Sequence, residues 1–161
     1  MNRKENILVV DDNHENLSFL CKLLKEDGYV TYPADSGELA LASLENNIPD
    51  LILLDIQMPG ISGFEVCKTI KQQKQLSEIP IIFLTAETEI NDKLEGFRLG
   101  AADYVTKPFH KEELMARMQA HLKLYRYNKL FREQNSEIIE SRNNLEKLVG
   151  NIEVANKKAM E

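Results

Sequence analysis

Short apolar segments alternate with amphipathic segments along the first 124 residues of the chain. The most apolar segments, each followed by a polar residue, are residues 7–10, 51–54, 81–84 and 104–105. Runs of this kind are typical of strands buried on both faces, as in parallel sheets. Between them, apolar residues recur at helical spacing, as Leu17, Leu20 and Leu24 do. The pattern predicts strands and helices in alternation.

One more strand, the second along the chain, is predicted over residues 29–32, where Val30 and Tyr32 alternate with other residues. Pro33 is expected to end it. Its amphipathic pattern favours the edge of a sheet. Five β/α repeats predict an α/β fold with a doubly wound, five-stranded parallel sheet and helices on both faces. The apolar central strands and the amphipathic second strand favour the flavodoxin-like strand order 2-1-3-4-5.

The helix predicted to begin near Lys111 continues into a seven-residue repeat. One apolar column consists of Leu124, Phe131, Ile138, Leu145, Ile152 and Ala159, and a second column three residues later consists of Tyr127, Gln134, Ser141, Leu148 and Ala155. The repeat predicts a coiled-coil extension over residues 125–161, after a domain over residues 1–124. A solvated single helix is the alternative, and we favour a parallel homodimer. The flanking charges leave register and orientation open.

Composition and charge narrow the functional classes. The chain is 43% hydrophobic and 29% charged, as in globular proteins, and no apolar run approaches the roughly 20 residues of a membrane span. Residues 125–161 hold seven basic and six acidic side chains, a net charge of +1. Since the whole chain has a net charge of −6, residues 1–124 carry −7. We therefore expect no direct nucleic-acid binding and no membrane association, and a cytoplasmic location.

Polar side chains end four of the predicted strands. Asp11 and Asp12 follow the first strand, Asp55 the third, Thr85 the fourth, and Lys107 the last. Taken singly, each has an ordinary structural role, as a helix cap, a turn residue or a surface charge. The carboxyl ends of parallel strands share one crevice, however, so three carboxylates, a hydroxyl and an ammonium should converge there. Such a cluster would attract a divalent cation.

At these positions the chain resembles the receiver domain of bacterial two-component response regulators. The resemblance covers residues 5 to about 124 and rests on four features: the acidic pair, the D-x-x-M-P-G turn that begins at Asp55, the Thr85–Ala86 step and the Lys107–Pro108 step. It implies that a sensor histidine kinase or phosphotransfer protein passes a phosphoryl group from phosphohistidine to an aspartate. It also implies that this reaction uses Mg²⁺.

The resemblance further assigns roles to individual residues. It implies that Asp55 is the phosphoryl acceptor, and that Asp11, Asp12, Asp55 and the backbone carbonyl of Gln57 bind Mg²⁺. It marks Tyr104 as the switch aromatic, and it implies a cis Lys107–Pro108 peptide bond. It places the side chains of Gln57 and Glu87 at the mouth of the site, where they would tune the lifetime of the phosphoryl group.

Elementary chemistry agrees with three catalytic assignments. Asp55 ends a central strand at the floor of the crevice, which suits a nucleophile, and Lys107 supplies a point charge for a phosphoryl oxygen. The Thr85 hydroxyl could then bond another oxygen, pull its loop inward and let Tyr104 turn toward the interior. Without a metal, the neighbouring carboxylates should repel one another and raise the pKa of at least one of them.

Two other functions are weighed against this one. Phosphatases of the haloacid dehalogenase type also use an aspartate nucleophile, but they need a second carboxylic acid two residues later, where this chain has Gln57. A phosphorylation-independent dimerisation adaptor with the same fold is the second alternative. The domain would modify itself rather than turn over a conventional substrate, so its standing as an enzyme is left open. The output is undecided between a downstream effector and the coiled coil itself.

Overall fold

The computed structural model describes residues 3–86 and 90–160, with side chains of the second stretch described from residue 93. In this part of the chain five strands and five helices alternate. The strands are β1 (Asn6–Val10), β2 (Val30–Ala34), β3 (Leu51–Asp55), β4 (Ile81–Ala86) and β5 (Asp103–Lys107). The helices are α1 (His14–Glu26), α2 (Gly37–Asn46), α3 (Gly63–Gln72), α4 (Ile90–Arg98) and α5 (Lys111–Ala159).

All five strands are parallel, in the order β2-β1-β3-β4-β5, which confirms the predicted fold class and strand order. The register aligns the strands at their carboxyl ends. Val10 pairs with Leu54, Asp55 pairs with Leu84, and Thr85 pairs with Thr106. The residues that follow these positions are therefore presented along one edge of the sheet.

Each face of the sheet is covered by helices. Side chains of alternate strand residues, among them Val9, Leu53 and Leu84, pack with buried residues of α1 and of the first turns of α5. The opposite face, with Leu8, Ile52 and Ile81, packs against α2 and α3. Because both faces are covered, the residues of β3 are buried throughout, and side chains at its end are held in a rigid frame.

Strand β2 differs from its predicted bounds. It covers Val30–Ala34 and includes Pro33, which pairs with Val9 of β1, whereas the sequence predicted that Pro33 would end the strand. Proline is compatible with an edge strand because its missing N–H can face away from the ladder. The predicted edge position of this strand is confirmed.

Polar caps begin three of the helices. Asn13, Ser36 and Ser62 each accept a hydrogen bond from the backbone N–H three residues later. Such caps satisfy N–H groups that the first turn leaves without a partner. Gly28 and Gly100 lie after α1 and α4 with φ angles of +92° and +97°, which glycine adopts readily.

The contacts divide the chain into two units, Met1–Tyr125 and Arg126–Glu161. The second unit is helical as far as Ala159, and the helix continues through Gly150. One glycine in a helix costs only about 1 kcal/mol relative to alanine, so a continuing apolar pattern can outweigh it. Among the described residues, no helix is both long enough and apolar enough to span a bilayer.

Candidate functional site

Three carboxylates meet at the carboxyl edge of the sheet. Asp11 follows β1 and is fully buried, Asp12 is next to it, and Asp55 ends β3 with 5% of its surface exposed. One oxygen from each of these side chains lies within 4.8 Å of the others. The structure therefore brings together the three aspartates that the sequence placed at strand ends.

Lys107, the last residue of β5, lies beside two of these carboxylates. Its Nζ is 3.2 Å from Asp11 Oδ2 and 3.4 Å from Asp55 Oδ1. Asp11 Oδ1 accepts a hydrogen bond of 2.9 Å from the backbone N–H of Asn13. Asp11 Oδ2, in contrast, is buried and has no hydrogen-bond partner among the described residues. A buried carboxylate oxygen without a hydrogen bond, beside two further carboxylates, fits a hard cation that takes oxygen ligands.

The acidic cluster changes the protonation of Asp55. The pKa of Asp55 is raised from 3.8 to about 7, mainly by burial, and the nearby Asp11 charge and a hydrogen bond with Asp12 contribute to the rise. The positive charge of Lys107 opposes the rise. The predicted rise in the pKa of at least one carboxylate is confirmed in direction, but burial contributes more to it than the repulsion between carboxylates that the prediction invoked. A cation placed among these carboxylates would favour the ionised form of Asp55.

A cavity of about 250 Å³ opens onto Asp55. It is lined by Asp12, Asn13, Asn16, Asp55, Ile56, Gln57, Leu84, Thr85, Ala86 and Lys107. Thr85 is almost fully buried, and its hydroxyl donates a hydrogen bond of 3.2 Å to the carbonyl of Ala86. Asn13 and Asn16 were not singled out as site residues, because the sequence presents them only as a cap and a helix position. Glu87, which the resemblance placed here, lies outside the described residues.

The loop after Asp55 is held by residues that the sequence did not mark as functional. The backbone N–H of Ile61 donates to Glu38 Oε1 of α2, at 3.2 Å. Gly63 N donates to the carbonyl of Ile56 at 2.8 Å, and a Cβ at Gly63 would collide with the carbonyl oxygen of Asp55. In the sequence, the two glycines that flank this loop, at positions 60 and 63, were the feature that could have identified it.

Tyr104 lies on β5 away from the cavity lining. Its ring packs edge to face with Phe97 at 5.7 Å between centroids, and Lys93 Nζ lies 4.3 Å from the ring centroid. A cavity of only about 10 Å³ separates this ring from Phe83, Ile56 and neighbouring residues. Inward rotation of Tyr104 would therefore require the side chains around it to move.

Asp103 joins β5 to α5 through a polar network. Arg117 Nη1 donates to Asp103 Oδ1 at 2.7 Å, and His121 Nε2 lies 3.0 Å from Asp103 Oδ2. Burial alone would raise the pKa of Asp103, but hydrogen bonds from His121, Arg117 and the Tyr104 N–H outweigh it and lower the pKa. This network was not predicted from the sequence. The four-residue spacing of Glu113, Arg117 and His121 on α5 was its only local signal.

The Lys107–Pro108 peptide bond is cis, as the resemblance implied. Lys107 lies beside two carboxylates. Gln57 lines the cavity, and its side chain is exposed. The site thus combines an acidic cluster, one ammonium group and one hydroxyl around a single opening. Such a site can bind a cation and a phosphoryl group next to a carboxylate nucleophile.

Comparison with known proteins gives the same family in sequence and in structure. Two curated relatives are the alkaline phosphatase synthesis transcriptional regulatory protein PhoP of Bacillus subtilis and the heme response regulator HssR of Staphylococcus epidermidis. The first is 46% identical and the second 41% identical, each over 123 residues or 76% of this chain. The matched part is 50% of PhoP and 54% of HssR, so the chain spans about half the length of these relatives.

Two solved structures of similar proteins match over nearly their whole length. A response regulator from Chloroflexus aurantiacus is 37% identical, with a TM-score of 0.73 over 75% of this chain and 99% of that chain. The chemotaxis protein CheY4 of Vibrio cholerae is 34% identical, with a TM-score of 0.70 over 73% and 98%. Residues 7–119 match the family described as the response regulator receiver domain. The chain therefore belongs to the receiver domain family of two-component response regulators.

Proposed function

We propose that this chain accepts a phosphoryl group on Asp55 from the phosphohistidine of a sensor histidine kinase or a phosphotransfer protein. The observation that carries the proposal is the convergence of Asp11, Asp12 and Asp55, whose oxygens lie within 4.8 Å of one another, with Lys107 beside two of them. The ordinary roles of such residues, as helix caps, turn residues or surface charges, do not require four of them from the ends of three strands to meet around one opening. Phosphoryl transfer to a carboxylate needs all of them.

Asp55 is the nucleophile in this proposal. One of its carboxylate oxygens attacks phosphorus, the P–N bond of phosphohistidine breaks, and the electron pair leaves with the imidazole. The product is an acyl phosphate on Asp55. Lys107 Nζ, 3.4 Å from Asp55 Oδ1, is placed to contact a phosphoryl oxygen after transfer.

Mg²⁺ is the proposed cofactor, held by the carboxylates of Asp11, Asp12 and Asp55 and by the backbone carbonyl of Gln57. The hydrogen-bond deficit at Asp11 Oδ2 and the all-oxygen character of the cluster support this choice. When bound, Mg²⁺ neutralises charge on phosphoryl oxygens that three aspartates would otherwise repel. Asp55 itself must be ionised to attack, and its raised pKa in the metal-free protein makes that ionisation sensitive to a nearby cation.

The acyl phosphate should persist long enough to act as a signal. Rapid hydrolysis needs a group that takes a proton from water near phosphorus, and the residue two positions after Asp55 is Gln57, whose amide cannot do this. This disfavours the dehalogenase-type phosphatase alternative. It also leaves self-dephosphorylation slow, so the domain modifies itself without conventional turnover.

We infer a switch that links Thr85 to Tyr104. A phosphoryl oxygen near Asp55 would compete with the Ala86 carbonyl for the Thr85 hydroxyl. Phe83, two residues before Thr85, pairs in register with Tyr104, so movement at the end of β4 reaches the strand that carries the ring. Inward rotation of Tyr104 would break its contacts with Phe97 and Lys93 and change the surface between α4 and β5.

The proposed output is a homodimeric coiled coil over residues 125–161 or a downstream effector, with the receiver over residues 1–124. The expectation of no nucleic-acid partner conflicts in part with relatives named as transcriptional regulators. We keep it for residues 1–124, whose charge of −7 repels a phosphate backbone. A cytoplasmic location remains part of the proposal.

The proposal is tested by incubating the chain with Mg²⁺ and acetyl phosphate and measuring its intact mass. Wild type should gain one phosphate, and Asp55→Asn should gain none. Asp35→Asn is the matched control, because Asp35 lies outside the acidic cluster and pairs with His14 on the surface. The proposal fails if Asp55→Asn is labelled as fully as wild type.

The dimerisation adaptor is the second candidate, favoured by the exposed apolar side chains of the second unit. It predicts that wild type stays unmodified under conditions that label a control receiver, while still forming dimers. An intact acidic cluster argues against it, because an adaptor gains nothing from the destabilising proximity of three carboxylates.

A further inference from the structure

The second unit presents a largely apolar seam to solvent, which begins at Leu124 just before this unit and is interrupted by two polar residues, Gln134 and Ser141. In heptad terms, Leu124, Phe131, Ile138, Leu145 and Ile152 occupy the a positions, and Tyr127, Gln134, Ser141 and Leu148 occupy the d positions. The side chains of Phe131, Ile138 and Leu145 are 64%, 64% and 62% exposed. A row of large apolar side chains this exposed on a helix is typical of a surface that another helix covers.

The residues that flank the seam contain one complementary charge relationship. In a parallel, in-register pair of helices, a g residue of one helix faces the e residue five positions later on its partner. Along the seam these pairings join Leu130 with Asn135, Glu137 with Arg142, Asn144 with Val149, and Asn151 with Asn156. Glu137 with Arg142 is the one fully charged pairing, and twofold symmetry makes it occur twice.

We propose that a second copy of this chain covers the seam in parallel and in register, with Glu137 of each helix paired to Arg142 of the other. This inference rests on the proposed parallel homodimer and adds its register and the charge pair that fixes it. An antiparallel pair would set g positions against g positions and e against e. It would therefore separate Glu137 from Arg142 and forfeit the attraction.

The polar residues of the seam favour the same register. Gln134 and Ser141 are d residues on either side of Glu137, and in register each faces its own copy. Two glutamines can hydrogen-bond to each other, whereas a shift of one heptad would place Ser141 against Leu148 and Gln134 against Tyr127 or Ser141. A polar seam residue specifies register by this mismatch, at a cost in stability.

Arg142 is free to make the contact across the seam. Its side chain is 78% exposed, and its Nε lies 3.4 Å from Glu146 Oε1 on the same helix. Glu146 is on the outer face, at a b position, so the guanidinium can bridge Glu146 and the Glu137 of a second helix. Arginine suits this role because its planar group offers several donors.

Cysteine cross-linking tests orientation and register in the full chain. Gln134→Cys and Ala155→Cys, made separately, place a thiol at d positions three heptads apart. Under mild oxidation both variants should form disulfide-linked dimers, because in-register d residues face their own copies. The native Cys21 and Cys67 are buried, so the wild-type chain is the control. In an antiparallel or shifted dimer at most one of the two variants would cross-link, and that result would overturn the proposal.

Charge reversal tests the named pair. Glu137→Arg and Arg142→Glu should each raise the dimer dissociation constant about tenfold, since two attractions become two repulsions. The double variant should return to within about threefold of wild type. Glu146→Gln is the control, because it removes the contact within the helix and leaves the contact across the seam, so it should change dissociation less than about twofold. If the dimer dissociation constant of the double variant is no lower than those of the single variants, the proposed pairing of Glu137 with Arg142 is wrong.

Failure of the proposed homodimer can be distinguished from failure of the proposed register. If sedimentation shows the wild-type chain to be monomeric at hundreds of micromolar, the homodimer is wrong, and the register inference is wrong with it. If the chain is dimeric but cross-links at neither position, only the arrangement is wrong.

Discussion

The ammonium group of Lys107 lies 3.2 Å from a carboxylate oxygen of Asp11, a residue that is entirely buried. That oxygen has no hydrogen-bond partner among the described residues, so the ion pair is its main compensation for burial. The same ammonium group is 3.4 Å from Asp55. One side chain therefore serves both the stability of the metal-free domain and the proposed chemistry, and substitutions should separate the two.

Lys107→Met should reduce stability in the absence of metal by on the order of 2 kcal/mol, because it leaves the buried Asp11 charge without its cation. Added Mg²⁺ should restore more stability to the variant than to wild type. Urea unfolding with EDTA or with Mg²⁺ measures both effects. Lys111→Met is the matched control, since Lys111 pairs with Asp27 on the surface and should contribute less than about 1 kcal/mol. Equal Mg²⁺ responses in the variant and wild type would contradict the expectation.

Asp55→Asn should stabilise the metal-free domain at high pH. Because the folded pKa of Asp55 is raised from 3.8 to about 7, the unfolded chain releases this proton at lower pH than the folded chain does. The Asp55 contribution therefore becomes unfavourable as pH rises from about 4 to about 7, and stays so above that.

With EDTA at pH 8, Asp55→Asn should unfold at higher urea, with a gain on the order of 1–2 kcal/mol. Near pH 4 the two proteins should differ little. Asp35→Asn, a substitution at a half-buried aspartate outside the acidic cluster, is the control and should not gain stability at pH 8. Equal stability of Asp55→Asn and wild type at pH 8 would show that burial of the ionised Asp55 carboxylate does not destabilise the folded domain.

Thr85→Ala should permit phosphorylation of Asp55 and abolish the change at Tyr104. The variant loses the hydroxyl that bonds Ala86 at present and that we expect to bond the phosphoryl group. Tyrosine NMR signals with and without acetyl phosphate would follow the ring, and intact mass would confirm the modification. Thr69→Ala, at an exposed hydroxyl of α3 that bonds Glu65, is the control. A full phosphorylation-dependent shift in Thr85→Ala would rule out this route.

Asp103→Asn should lower stability at neutral pH by about 1 kcal/mol, because an amide is a weaker partner than a carboxylate for Arg117 and His121. The folded pKa of Asp103 is below its ordinary value of 3.8, so its contribution is present above about pH 4 and is lost as pH falls through the folded pKa. Unfolding at pH 7 and below pH 3 should show the difference shrinking. A deficit that is equally large at both pH values would assign it to packing instead.

Gly150→Ala should stabilise the helix of the second unit by roughly 0.5–1 kcal/mol. Nothing lies within 4 Å of a Cβ built at this position, so the added methyl group meets no obstacle. Thermal unfolding followed at 222 nm measures the gain. Gly63→Ala is the contrasting variant, because its Cβ would collide with the carbonyl oxygen of Asp55 and should destabilise the first unit. A loss of helix stability in Gly150→Ala would mean that other atoms pack against this position in solution.

Local patterns determined much of this fold. The runs that became β1, β3 and β4, the caps Asn13 and Ser36, and the seven-residue repeat all depend on residues within one or two turns of each other. For that reason they are readable in the sequence. The alternation of strands and helices also determined that Asp11, Asp55 and Lys107 would share an edge, since parallel strands have a common direction.

Only the tertiary structure decided which groups pair at that edge and how strongly each is buried. The ion pairs of Lys107 join it to residues that lie about a hundred positions earlier, at Asp11, and about fifty positions earlier, at Asp55. The network of Asp103 with Arg117 and His121 depends on how α5 packs against β5. Pro33 is tolerated in β2 because β2 is an edge strand of the sheet that the described residues form, so one side of it needs no N–H donor. Distance, burial and charge balance are sums over the whole packed domain, and no local stretch of sequence contains them.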